Sequence, residues 1–191
     1  MKPILFNTEM VKAILDDRKN QTRRAIKIKN KLTRDWAITT GVEWLKVDLK
    51  DEKYPYSIRE RSGAWNEYSL QDFIKKYSQY QVGDIIYVKE KCVDEYPNGF
   101  CFKEDYEEEE WNDKYLIKQY CNKLNARIFL KVTSVRVERL QDMNMYEETG
   151  SLNIFKHKKY YDNWNSTAKD GYKWEDNPYV FVYEFERIEK Q

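Results

Sequence analysis

Cations, a hydroxyl and two amides crowd one short run, Arg18-Lys19-Asn20-Gln21-Thr22-Arg23-Arg24. Guanidinium and ammonium groups donate to anionic oxygens, and amides add neutral donors and acceptors, so such a run can hold an anionic ligand. It can also do chemistry. A threonine hydroxyl becomes a nucleophile when a base stands beside it, and a lysine serves as that base when burial or neighbouring cations lower its pKa. The plainer alternative makes Lys19 and Arg23 solvated turn residues and has Thr22 merely open a strand. Glu90 sits between Lys89 and Lys91. Its carboxylate can accept from the amino group of a base, as carboxylates do with cytosine, or pair with a lysine on the surface. Trp174, with Tyr172 and Asn177, either lines a pocket mouth or plugs the end of a barrel. Lys156 to Trp164 interleaves cations with aromatics. That suits a single nucleic-acid strand or, equally, an amphipathic helix with its rings turned inward.

Elements must position these groups. Ile4, Leu5 and Phe6 read as a buried strand. Thr8 is the expected N-cap of a short helix carrying Met10, Val11, Ile14 and Leu15 at helical spacing and ending near Asp16-Asp17. A second strand is expected over Thr22 to Ile28. From 29 to 80 the period weakens, and this stretch reads as an insertion whose clearest piece is a capped helix from Ser69 to Tyr77. Gln81-Val82-Gly83-Asp84 is a turn with Gly83 at positive φ, followed by a strand over Ile85 to Glu90. Cys92 to Trp111 is expected to be irregular, and its acidic run reads as a solvated loop. Ala126 to Leu140 is the strongest β signal. Its apolar parity shifts across Thr133-Ser134, as at a bulge or bend. A helix is expected to begin within Met143 to Glu148. Tyr179 to Ile188 is a final strand, apolar on both faces in its first half and therefore central in its sheet.

Bulk properties narrow the classes. The chain of 191 residues is long enough to bury a core without disulfides, and one domain is expected. Lys and Arg number 34 against 33 Asp and Glu, so no global field draws the protein to nucleic acid and any such site must be local. Cys92, Cys101 and Cys121 lack CxxC spacing and His157 is the single histidine, so no metal site or other cofactor is expected and the thiols read as reduced. With neither a membrane-length apolar run nor a signal-peptide core, a cytoplasmic protein is expected. Many β runs with few short helices point to an α+β fold, a small closed or nearly closed barrel with helices at its rim.

The order of these pieces resembles the ASCH domains of the PUA-like superfamily, nearest the longer type encoded by bacteriophages and prophages. Four segments carry the resemblance: Pro3 to Arg24, Tyr80 to Glu90, Arg127 to Asp142, and Gly171 to Phe185. The family signature Gly-x-Lys-Thr-x-Thr-x-Arg is met by Lys19, Thr22 and Arg24, while Asp17 stands for the glycine and Asn20 for the first threonine. Asp and Asn both tolerate a left-handed turn better than most residues.

The resemblance implies a PUA-like barrel whose pocket, built around Lys19, Thr22 and Arg24 with Arg18, Asn20, Arg23, Glu90 and Trp174 as further ligand-binding candidates, holds RNA, a nucleotide or a modified nucleoside. It also implies an alternative, since some small bacterial members are metal-independent amidohydrolases that remove the acetyl group of N4-acetylcytidine. Thr22 would then be nucleophile, Lys19 its activator and Glu148 the proton carrier, although a gapless alignment from Met143 puts Ser151 at the glutamate position and Glu147 is a further candidate. A second alternative is a non-enzymatic phage accessory protein that binds a host protein through the aromatic-rich insertion. The oligomeric state is not legible.

Overall fold

The computed structural model describes residues 1–28, 44–60, 62–94, 99–107, 109–111, 119–143 and 154–190, the side chains of 154–156 excepted. The fold is mixed α+β, with eleven strands in three sheets among the described residues. The largest sheet has five strands in the order β1 (Lys2–Leu5), β6 (Ile85–Lys89), β10 (Phe129–Arg139), β11 (Tyr179–Ile188), β2 (Gln21–Ala25). A second joins β3 (Trp44–Val47), β4 (Tyr56–Arg59) and β5 (Trp65–Tyr68). The third joins β8 (Phe100–Phe102), β7 (Lys91–Asp94) and β9 (Gln119–Tyr120). The pairing order of the described strands does not return from β2 to β1, so no closed barrel is seen among them. The chain divides into two compact units, Met1–Gln21 with Val82–Ser134 and Tyr183–Gln191, and Thr22–Gln81 with Val135–Val182.

In the first unit, β1 runs parallel to β6, with Ile4 opposite Val88, and β10 runs antiparallel to β6, with Leu130 opposite Ile86. All four of these side chains are buried. Helix α1 (Thr8–Leu15) adds Val11 and Ile14 to the same interior. Burying an aliphatic side chain of this size contributes about 1.5–3 kcal/mol, which offsets the entropy of ordering so short a helix. Its N-cap is Asn7, not Thr8. Asn7 is extended (φ −78°, ψ 168°) and its side chain accepts from the Met10 amide at 2.9 Å. Both residue types cap well, and asparagine ranks with the best, so the helix starts one residue earlier than Thr8 capping would require. At the other end the amides of Arg18 and Lys19 both donate to the Ala13 carbonyl, and Asp17 turns the chain at φ 53°. Aspartate thus adopts the left-handed conformation that it tolerates better than most residues. Gly83 has φ 88°, as the turn demands.

The small sheet of the first unit falls where an irregular segment is expected. Cys92, Phe102, Cys121, Ala126 and Phe129 form its own apolar cluster, with Tyr87 and Ile188 against it. A period-2 pattern cannot be seen in strands of two to four residues, which explains the difference. Beyond β8 a 3-10 turn, Lys103–Asp105, carries part of the acidic run.

In the second unit, most of the described part of the 29–80 stretch is ordered structure. In β4 Tyr56 and Ile58 turn inward, and Tyr56 stacks on Phe73 of helix α2 (Leu70–Tyr77) at 4.6 Å between ring centroids. Phe73 also meets Phe181 at 5.7 Å. Ser69 caps α2, its hydroxyl accepting from the Asp72 amide. Helix α3 (Ile154–Thr167) turns Tyr160 and Trp164 onto a cluster of Leu140, Met143, Val180 and Val182, while Lys158 and Lys159 face solvent. The inward-facing alternative therefore describes the cation–aromatic segment.

The two long strands are as their residues predict. β11 spans Tyr179–Ile188 and buries Val180, Phe181, Val182 and Tyr183 in succession. In β10 the buried parity runs through Leu130 and Val132, then changes to Val135 across Thr133-Ser134.

Candidate functional site

The residues of the first basic turn differ in burial and in partners. In the first unit, Arg18 is exposed and its guanidinium is held by Asp16 at 2.7 Å. Lys19 is half-buried and Asn20 is exposed, its carbonyl accepting from the Phe185 amide at 2.8 Å. In the second unit, Thr22 is 2% exposed within β2. Arg23 is not a solvated turn residue. Its side chain is buried and Nε donates to Glu138 Oε1 at 2.7 Å. Arg136 donates to the other oxygen, Oε2, at 3.3 Å. A buried guanidinium demands a carboxylate, and Glu138 on β10 supplies it. Arg24 is half-buried and donates to the Arg23 carbonyl at 3.4 Å. Glu147 and Glu148 lie outside the described residues.

Trp174 is half-buried. It packs beside the second unit's Leu140 and Val180 cluster, 4.3 Å from the Tyr161 ring centroid and edge-on to Tyr160 at 6.3 Å. The loop is pinned by Asn177 at φ 45°, whose Oδ1 accepts from the Gln141 amide at 2.9 Å.

Glu90 has a partner that neither expectation names. It is 2% exposed, in the first unit, and both of its oxygens accept from Arg127, at 3.1 Å from Nε and 3.0 Å from Nη2. Nη1 of the same arginine donates to both oxygens of Asp105, at 2.9 and 3.1 Å, and the guanidinium lies 4.2 Å over the Phe102 ring. Burial pushes the Glu90 carboxyl above its ordinary value, and the hydrogen bonds and charge of Arg127 offset part of that shift. Arg127 is thus tied into the wall of the first unit. No spacing rule links residues 37 positions apart, so this pairing carries no sequence signal.

Beside this wall lies an open concavity of about 480 Å³, lined by Leu15, Arg127, Ile128, Arg187, Ile188, Glu189 and Lys190. Its size falls in the range of small-molecule sites. Two of its cations are loosely engaged. Arg187 donates to the Leu15 carbonyl at 3.4 Å and stands 3.6 Å from the exposed carboxylate of Asp17. Lys190 donates to the Leu124 carbonyl at 2.7 Å and, among the described residues, pairs with no carboxylate. A nucleobase or sugar could lie on the aliphatic side chains of Leu15 and Ile188 while the cations meet an anion. No residue of the expected basic turn lines this feature, and its cations are Arg127 just before β10, Arg187 in β11 and Lys190 just after it.

Cys92 and Cys121 are buried in the same cluster, and all three cysteines are free. The Cys121 thiol donates to the Val88 carbonyl at 3.1 Å. Burial, with Cys121 nearby, pushes the Cys92 thiol up to about 12. A thiol so shifted is a poor nucleophile. Among the described residues no cluster of His, Cys, Asp and Glu could hold a metal ion, and no helix is long and apolar enough to cross a membrane. No family model matches the chain, and no curated protein or solved structure matches it either.

Proposed function

We propose that this protein binds RNA, a nucleotide or a modified nucleoside, as a phage-type ASCH protein with a PUA-like β-barrel core. The observation that carries the reading is the concavity of the first unit, of nucleotide size and lined by Arg127, Arg187 and Lys190. Tyr120 and Phe100, exposed on the small sheet of the same unit, are available for base stacking. The order strand, helix, strand, Gly83 turn, strand, long β10 and terminal β11 is the one this reading expects, and the short acidic helix it also expects lies outside the described residues. The hydrolase alternative draws less support, because substrate would have to reach a Thr22 hydroxyl buried within a strand.

Fluorescence anisotropy with a labelled single-stranded RNA tests the proposal. Binding is expected at low salt, with affinity reduced about tenfold by Arg187→Glu and by Lys190→Glu, the loss expected when a charge-assisted contact is reversed. Absence of binding by the intact protein at low salt, to RNA and to nucleotides alike, overturns it.

A further inference from the structure

We propose that Arg187 and Lys190 are the phosphate-holding groups of the concavity, and that its ligand is a phosphorylated ribonucleotide unit, free or within RNA, in preference to a nucleoside. The inference rests on the reading above and narrows it. Three cations line the concavity, and they differ in what they can still offer. Arg127 spends its donors on Glu90 and Asp105 and is locked over Phe102, so it holds the wall in place. Arg187 makes one long hydrogen bond to a carbonyl, and its ion pair with Asp17 is beyond hydrogen-bond distance at 3.6 Å. Lys190 gives one hydrogen bond to a carbonyl, lies 5.9 Å from the Phe129 ring centroid, and keeps two N–H groups with no carboxylate paired to it among the described residues. A phosphate monoester brings up to two charges and three acceptor oxygens, which match these unspent donors better than a neutral nucleoside does.

Glu189 stands between the two cations in sequence and also lines the concavity. An isolated carboxylate there would repel a bare anion. The same carboxylate accepts hydrogen bonds from a ribose diol, the role that acidic residues play in other nucleotide sites. A phosphate joined to a ribose therefore suits the polar contacts of Arg187, Glu189 and Lys190 better than inorganic phosphate does. The apolar Leu15 and Ile188 remain for the base.

The test titrates the four ribonucleoside 5′-monophosphates, the four ribonucleosides and inorganic phosphate against the intact protein by calorimetry. A labelled RNA is run in parallel. At least one monophosphate is expected to bind tenfold or more tightly than its nucleoside and than inorganic phosphate. The Arg187→Gln/Lys190→Gln double variant is expected to bring the nucleotide-to-nucleoside ratio to about one. Both positions are exposed, so the variant should keep the thermal midpoint of the parent, which is checked alongside. Equal affinity for nucleoside and monophosphate, or an unchanged ratio in the double variant, overturns the inference while RNA binding leaves the wider reading standing. Failure of every nucleotide, nucleoside and RNA to bind overturns both.

Discussion

The side chains that look most reactive in the sequence are, in part, the ones the fold consumes. Arg23 gives its charge to Glu138, and Glu90 gives both oxygens to Arg127. Removing one member of such a pair strands the other. Arg23→Ala should lower the unfolding free energy by about 3 kcal/mol, the lower end for a broken buried pair because Arg136 still attends Glu138. Arg24→Ala, with a half-buried side chain, should cost well under half of that. Urea titrations of the two variants decide the order, and equal losses would contradict the assignment. Glu90 sets a pH dependence. Its carboxyl is raised in the folded state, so the folded chain binds more protons than the unfolded chain above the ordinary value of 4.5. The stability Glu90 contributes is therefore full below that value and declines as pH rises through the folded-state pKa. Glu90→Gln should flatten that part of the stability profile above pH 4.5, as followed by urea unfolding. A variant with the parent's slope would show that another group titrates there.

Elements were legible in proportion to their length and to the strength of their end signals. β11 matches its apolar run over Tyr179–Ile188, and α2 starts at the serine that caps it. Positive φ at Asp17, Gly83 and Asn177 follows from residue type. The small sheet around Cys92 escaped because short strands hold too few residues to show a period, and acidic residues there dominate the local composition. The helix start was displaced by one residue because Asn7 and Thr8 are both good caps and only the backbone decides between them. That displacement is testable. Asn7→Ala should cost about 1 kcal/mol while Thr8→Ala costs a few tenths, measured by thermal or urea unfolding. Gly83→Ala meets no steric obstacle at its Cβ but must hold φ 88°, so a loss of about 1 kcal/mol is expected from backbone strain alone.

At the scale of the whole molecule, near-neutral charge limits what electrostatics can do. With Lys and Arg at 34 and Asp and Glu at 33, affinity for a polyanion must come from a few local contacts. If Arg187 and Lys190 each neutralise one phosphate, the slope of log affinity against log salt should be about −1.4 for a single strand. A slope of several units would place the binding surface elsewhere. The candidate site was less legible than the fold for the same reason. The cations of the concavity are Arg127 ahead of β10, Arg187 in β11 and Lys190 beyond it, where no motif marks them. The basic turn at Arg18 to Arg24 drew the eye because its residues are adjacent. Adjacency along a strand sends neighbours to opposite faces, and Arg23 duly ends inside while Arg24 stays half outside.

The shut-in thiols of Cys92 and Cys121 also give the molecule a built-in clock. Neither can meet an alkylating reagent until the cluster around Phe129 parts, so the rate at which they are labelled reports how often that interior breathes. Cys101, half-buried outside that cluster, supplies the fast reference against which each opening is counted.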